Sequence, residues 1–131
     1  INTSHNKPDF ILSLYEKDNN KPVSSLIVED KWRSKSNIFN EVDDTEVVLT
    51  LKDYYQFGYM ELKQDKHKLH RGVISKVIVL YPDKEQDTLT EIDTDIYGIG
   101  LYPNESFDES QSFNALKSQI IQTFEDYVNF E

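Results

Sequence analysis

Apolar and polar residues alternate near the start of the chain and predict a pair of strands. In PDFILSLY, residues 8–15, the side chains of Phe10, Leu12 and Leu14 share one side, as expected for the two-residue period of a strand. SSLIVEDKW, residues 24–32, has an apolar centre and predicts a second strand. The intervening EKDNNKP is rich in turn-forming residues, so we expect an antiparallel hairpin.

A helix is predicted after this hairpin. Asp43 and Glu46 have the spacing of a capping box, which satisfies backbone amides at a helix N-terminus. Apolar residues then recur at helical intervals, at Val47, Leu51, Tyr55 and Leu62. We therefore expect a helix that begins near Asp43 and closes in the basic stretch KQDKHKLHR, although TEVVLTL also suits the start of a strand.

The second half of the chain predicts two more strands and a closing helix. VISKVIVLY, residues 73–81, is almost continuously apolar, which is typical of a central strand covered on both faces. The acidic PDKEQDTLTEIDTD is expected to be a solvated linker, and IYGIGLY, residues 96–102, a shorter strand. The last helix has an apolar face at Phe113, Leu116, Ile120, Phe124 and Tyr127. This order predicts an α/β fold with a mixed β-sheet flanked by helices.

Composition limits the classes of protein to which the chain can belong. Its 131 residues, 37% of them hydrophobic, suit a single domain over residues 1–131, and no apolar run is long enough to span a membrane. The absence of cysteine excludes a disulfide scaffold and a thiolate site, and favours a cytoplasmic location. Because the chain starts at Ile1, we expect a piece of a longer protein. The net charge of −10 requires any nucleic-acid contact to be local.

Three charged residues are expected to meet at one end of the predicted hairpin. Glu29 and Lys31 are two residues apart and therefore leave the same face of their strand. Antiparallel pairing puts Asp9 opposite Asp30, give or take one residue. Carboxylates this close favour a shared cation, and one or two carboxylates usually hold Mg²⁺. A lysine beside the metal can orient water and offset charge on a phosphate. Two carboxylates and a lysine in this arrangement therefore indicate phosphodiester hydrolysis.

The same residues resemble the signature of the PD-(D/E)XK nuclease superfamily. That signature places a Pro-Asp pair before one strand and an acid-x-Lys triplet at the end of the next, here Pro8-Asp9 and Glu29-Asp30-Lys31. The strings KPDFILSL, SLIVEDKWR and VIVLYP are most similar to the nuclease domain of McrC-type components of modification-dependent restriction systems. Such relatives more often have Asp where Glu29 stands, and a small or apolar residue where Asp30 stands.

The resemblance implies a restriction-endonuclease-like core and a metal-dependent DNA endonuclease of a defence system. By that resemblance, Asp9 and Glu29 hold Mg²⁺ or Mn²⁺ together with the backbone carbonyl of Asp30, and Lys31 is the catalytic lysine. The superfamily usually has a helix and a strand before the Pro-Asp strand, where this chain has only a short arm. An AAA+ GTPase motor subunit or an upstream DNA-recognition domain is implied as the partner that delivers DNA, so we expect weak DNA binding by this chain alone.

Two further residues are weaker candidates for the site. His5 lies four residues before Asp9 and is either a neighbour of the metal or a surface residue of the arm. Gln56 loosely resembles the Gln of the Gln-x-x-x-Tyr helix in some nucleases of the superfamily, or else lies on ordinary helix surface. Tyrosines 54, 55 and 59 and Trp32 are expected to pack in or near the core rather than to stack on bases.

Basic residues form one local cluster in this acidic chain. KQDKHKLHR contains two histidines and four cations, which are Lys63, Lys66, Lys68 and Arg71. The cluster either grips a phosphate backbone or complements the dipole of the helix that it is predicted to close. Arg33 and Lys35 either extend a positive rim beside Lys31 or are loop charges.

Two other classes of function stay open from the residues alone. The acidic charge also suits a non-enzymatic interaction module, such as an immunity-like protein or a DNA mimic, whose carboxylates face a basic partner. A degenerate nuclease fold retained as a scaffold is the third alternative. The sequence has no Gly-rich phosphate loop, Gly-x-Ser-x-Gly elbow or His-Glu-x-x-His helix, which argues against P-loop hydrolases and against serine hydrolases and zinc proteases of those types.

Overall fold

The protein forms an α/β fold with a mixed five-stranded sheet flanked by two helices. The computed structural model describes residues 8–31, 33, 35–39, 44–63, 66–83, 89–101 and 111–128. In chain order the elements are β1 (Phe10–Leu14), β2 (Ser24–Asp30), α1 (Lys35–Ile38), α2 (Glu46–Phe57), β3 (Tyr59–Lys63), β4 (Lys66–His70), β5 (Ile74–Pro82), β6 (Thr90–Asp93), β7 (Ile96–Leu101) and α3 (Gln111–Phe124). Within these described ranges, no helix has both the length and the apolar character needed to cross a membrane.

The main sheet is parallel in its centre and antiparallel at both edges. Its spatial order is β1-β2-β5-β7-β6, with parallel pairing between β2 and β5 and between β5 and β7. A parallel pair needs a crossover connection, and the chain between β2 and β5 contains α1, α2 and the separate β3–β4 hairpin. The predicted β1–β2 hairpin and the predicted central strand β5 are both confirmed.

Each face of the sheet has its own apolar core. Buried residues on the face under α2 include Ile27, Leu51, Val77, Val79 and Tyr81. Those on the face under α3 are Leu26, Ile78, Ile99 and Phe124. Successive residues of β2 and β5 therefore face different helices, which explains why both strands have unbroken apolar runs.

Strand β1 lies at the edge of the sheet and exposes apolar side chains. Phe10 is 61% exposed and Leu12 46% exposed, whereas Leu14 on the same face packs against the core under α3. In the described part of the chain, no strand pairs with the outer edge of β1. No charged residue stands between Asp9 and Glu16.

Helix α2 begins and ends differently from the prediction. Its N-cap is Thr45, whose hydroxyl accepts a hydrogen bond from the Val48 N–H at 3.3 Å, while Asp43 lies outside the described residues. The helix ends at Phe57 because Gly58 follows with a φ of 87° and donates its N–H to the Tyr54 carbonyl. The predicted continuation of the helix into the basic stretch is wrong.

That basic stretch instead belongs to the antiparallel β3–β4 hairpin, which pairs from Tyr59↔His70 to Lys63↔Lys66. The alternative that its cations complement a helix C-terminus is therefore wrong as well. The acidic linker also contains structure, because strand β6 pairs with β7. Tyr127 lies beyond α3 and is 54% exposed, so it does not continue the apolar face of that helix.

Two glycines with positive φ provide a matched test of how closely the hairpin packs on α2. A Cβ added at Gly58 would overlap the carbonyl oxygen of His70, whereas one added at Gly72, where φ is 71°, would meet nothing within 4 Å. We expect Gly58→Ala to lower the free energy of unfolding by about 3 kcal/mol or more, and Gly72→Ala by about 1 kcal/mol. Urea unfolding measures both, and equal losses would contradict the close approach.

Candidate active site

Asp9 and Glu29 lie side by side where β1 begins and β2 ends. The register pairs Phe10 with Val28, which puts Asp9 opposite Glu29, one residue from the partner expected. The Asp9 backbone N–H donates a hydrogen bond to Glu29 Oε1 at 2.7 Å, and the Asp30 N–H donates one to Asp9 Oδ2 at 3.0 Å. These two bonds fix the positions of both carboxylates relative to the backbone of the hairpin.

Lys31 adds a positive charge to this pair of carboxylates. Its Nζ is 3.6 Å from Glu29 Oε2, and its backbone N–H donates to the Leu80 carbonyl at 2.9 Å, which extends the β2–β5 ladder. The Glu29 side chain is 4% exposed and the Lys31 side chain 33% exposed. The structure therefore brings together Asp9, Glu29 and Lys31, with the carboxylate of Glu29 buried and the ammonium group reaching solvent.

Tyr54 of α2 is a member of this site that the sequence analysis assigned to packing. Its side chain is buried in the core under α2, with 3% of the residue exposed. Burial, the charges of Glu29 and Asp9, and a hydrogen bond to Glu29 raise the pKa of the Tyr54 hydroxyl, so it stays protonated and can donate to that carboxylate. A signal was present, because a tyrosine on the buried face of a helix needs a partner for its hydroxyl.

The electrostatics of Glu29 favour neutralisation of its charge. Burial raises the pKa of the Glu29 carboxyl, and the negative charge of Asp9 raises it further. The backbone hydrogen bond from Asp9 and the positive charge of Lys31 lower this pKa. The pKa remains raised because desolvation is the largest of these effects. A proton or a bound cation at Glu29 would therefore relieve an unfavourable buried charge.

The donor set suits a hard divalent cation. Asp9 and Glu29 supply carboxylate oxygens, which Mg²⁺ prefers, and Mg²⁺ commonly takes only one or two carboxylates and completes its shell with water and phosphate. Within the ranges that the structure describes, no group of three or more His, Cys, Asp or Glu residues is placed to hold a metal. Asp30, whose carbonyl is the third predicted ligand, donates its backbone N–H to Asp9 Oδ2 and therefore lies next to the two carboxylates.

The remaining candidates lie elsewhere or outside the described residues. Arg33 is exposed just after Lys31, whose carbonyl accepts its backbone N–H at 2.9 Å, and Lys35 is half-buried at the start of α1. Gln56 is exposed and lines a different groove, formed with Lys52, Tyr55, Asp93, Thr94 and Ile96. His5 lies outside the described residues. Lys63, Lys66 and Lys68 are on strands β3 and β4, and Arg71 directly follows β4.

The raised pKa of Glu29 predicts how stability changes with pH. Such a carboxyl stabilises the fold below its unfolded pKa, with an ordinary value of 4.5, and this contribution is lost as pH rises through the folded pKa. We expect Glu29→Gln to be more stable than the wild type at neutral pH, with a difference that vanishes below the ordinary pKa. Urea unfolding as a function of pH measures this.

The matched control is Glu16→Gln, which removes an exposed carboxylate and should follow the wild type at every pH. A Glu29→Gln variant that is less stable than the wild type at neutral pH would show that the buried charge is fully compensated by its partners.

Comparison of the chain with protein-family models, with curated proteins and with solved structures finds no match.

Proposed function

We propose that this chain is a metal-dependent nuclease domain of the PD-(D/E)XK type that hydrolyses phosphodiester bonds in DNA. The main support is the convergence of Asp9, Glu29 and Lys31 at one end of the β1–β2 ladder, with Glu29 buried beside the lysine. Burying a carboxylate is costly unless a partner compensates for its lost hydration. Binding of a metal cation would compensate the buried charge of Glu29, which gives a physical reason for a carboxylate at this position.

Each residue has a distinct role in the proposed reaction. Asp9 and Glu29 would hold Mg²⁺ or Mn²⁺ with the Asp30 carbonyl, and the bound ion would supply Lewis-acid stabilisation of the phosphate and a more acidic water. Lys31, whose Nζ lies 3.6 Å from Glu29 Oε2 and is partly exposed, would contact the phosphate and offset the negative charge that grows on it. Tyr54 would hold the Glu29 carboxylate in its orientation.

The order of elements also supports this proposal. An antiparallel pair, a helical crossover and a parallel third strand follow one another as β1, β2, α2 and β5, which agrees with a restriction-endonuclease-like core. We propose a defence role in the cytoplasm, in which an AAA+ GTPase motor subunit or an upstream DNA-recognition domain delivers the DNA. Such a tethered cutting domain needs little affinity of its own, which suits a chain with a net charge of −10.

An acidic interaction module is the second candidate, and the net charge of −10 favours it. A DNA mimic or immunity-like protein must present its carboxylates to a basic partner. Glu29 is 4% exposed in its side chain and lies beside Lys31, so it is not presented in that way. The burial of Glu29 therefore favours the nuclease over this alternative.

Calorimetric titration with Mg²⁺ and Mn²⁺ tests the metal site directly. We expect millimolar or tighter binding by the wild type and none by Asp9→Asn/Glu29→Gln, because the double variant removes both charged ligands. The control Glu16→Gln/Asp53→Asn removes two exposed carboxylates and should bind as the wild type does. Absence of metal binding by the wild type, also in the presence of a short duplex, would favour the interaction module.

Substitution of Lys31 tests the proposed catalytic step. We expect Lys31→Ala to lower the rate of DNA cleavage by about 100-fold or more and still to bind metal, because both carboxylates remain and the lysine acts on the phosphate. Lys21→Ala, which removes an exposed lysine in the β1–β2 turn, is the control and should cut normally. Equal cleavage by these two variants would remove Lys31 from the mechanism.

Tyr54→Phe tests whether the hydroxyl positions Glu29. Loss of a group that orients a metal ligand typically lowers metal affinity or activity about 10- to 100-fold. The matched control is Tyr55→Phe on the same helix. The Tyr55 hydroxyl donates to Asp95 Oδ2 at 2.9 Å, away from Glu29. We expect metal affinity and cleavage rate to fall in Tyr54→Phe and to stay at the wild-type level in Tyr55→Phe. Identical behaviour of the two variants would leave Tyr54 with a packing role alone.

A further inference from the structure

The β3–β4 hairpin concentrates positive charge in an acidic protein. It forms a two-stranded sheet apart from the main sheet. Residues 59–71 contain two acidic and four basic residues in a chain with a net charge of −10. The basic residues are Lys63, Lys66, Lys68 and Arg71.

The base of this hairpin is firmly attached to the rest of the fold. The Tyr59 ring is buried, and its hydroxyl lies 3.1 Å from the Oγ atoms of both Ser13 and Ser25 on the β1–β2 ladder. The Tyr59 and His70 rings pack with their centroids 5.0 Å apart. Gly58 adds a close backbone contact with His70. The hairpin is therefore held in a defined position relative to the main sheet.

The register of the hairpin opposes two like charges. Lys63 pairs directly with Lys66 at the end farther from Gly58, and the neighbouring pair on the same face, Glu61 and Lys68, has opposite charges. Like charges in opposed positions destabilise an antiparallel pair. No helix dipole offsets this cost, because α2 ends at Phe57 before the hairpin begins. A bound anion would offset it. The exposed Arg71 adds a further cation beside the hairpin base.

We infer that the β3–β4 hairpin is a binding element for the phosphate backbone of duplex DNA. A two-stranded β-ribbon fits the major groove of B-form DNA, and clustered lysines neutralise successive phosphates. The choice of DNA as the polyanion rests on the proposed function of the Asp9–Glu29–Lys31 site. The contact is local, which is what the acidic net charge of the chain requires.

The candidate active site and the hairpin base lie on the same face of the β1–β2 ladder. Asp9 and Ser13 are four residues apart on β1 and point to the same side, so these two points are about 13 Å apart along the strand. One turn of duplex DNA is about 34 Å long. The base of the hairpin is therefore separated from the candidate active site by less than the length of one turn of duplex DNA.

The test is the salt dependence of DNA binding under conditions without cleavage. A labelled duplex of about 16 base pairs, which is about one and a half turns, is titrated with protein in EDTA and followed by fluorescence anisotropy. We expect micromolar affinity for the wild type and at least a tenfold loss for Lys63→Gln/Lys66→Gln/Lys68→Gln. The slope of log affinity against log salt should become shallower by about 2 to 3, since each lost phosphate contact contributes about 0.9.

The matched control removes the same charge from exposed lysines elsewhere, as Lys17→Gln/Lys21→Gln/Lys117→Gln, and should change affinity and slope much less. Urea unfolding of both triple variants confirms that each is folded. Equal losses in the two triple variants would show that only net charge matters and would overturn the proposal. Absence of binding by the wild type at low salt would overturn it too.

Cleavage assays with Mg²⁺ separate this inference from the proposed nuclease activity. Lys31→Ala is expected to bind duplex through the hairpin but not to cut it. A wild type that binds through the hairpin and never cuts DNA would support the hairpin proposal and contradict the nuclease. A wild type that cuts, with the hairpin variant binding and cutting equally well, would support the nuclease and overturn the hairpin proposal.

Discussion

Burial of a single carboxylate, that of Glu29, is the constraint on which the arrangement of this end of the molecule depends. A charge removed from water must be compensated by its surroundings, and three parts of the chain contribute. The start of β1 supplies the Asp9 N–H, the end of β2 supplies Lys31, and α2 supplies the Tyr54 hydroxyl. Displacement of any of these elements would leave part of the charge uncompensated, so the carboxylate ties them together.

The face of the β1–β2 ladder under α2 is apolar in the middle and polar at both ends. At one end are Asp9 and Glu29, and at the other the hydroxyls of Ser13 and Ser25 lie 2.8 Å apart. Tyr54 reaches the first end and Tyr59 the second. These tyrosines stand on either side of Gly58, so the sharp end of α2 lets one short segment of chain contact both ends of the same ladder.

Short-range patterns predicted the parts of this fold that depend on them. Alternation and turn residues were enough for the β1–β2 hairpin, and a continuous apolar run was enough for β5. The predicted end of α2 is wrong because Leu62 continues the helical spacing, whereas Gly58, a residue typical of helix ends, ends the helix at Phe57. Asp9 lies opposite Glu29, within the one-residue margin of its predicted pairing with Asp30, and that margin exists because turn geometry sets the register. The role of Tyr54 depends on how α2 lies over β2, a tertiary relation that local spacing does not specify.

In the part of the chain that the structure describes, the outer edge of β1 has no paired strand, and the strong acidity of the chain bears on what this edge can do. A neutral strand with open hydrogen-bonding groups and exposed Phe10 and Leu12 is a template on which further copies can add, strand upon strand. Mutual repulsion between molecules with a net charge of −10 opposes that growth. Near the isoelectric point of about 4.7, or in concentrated salt, the repulsion disappears. Colloidal stability of the protein in solution therefore depends on the net charge of the whole molecule and not only on the residues of this edge.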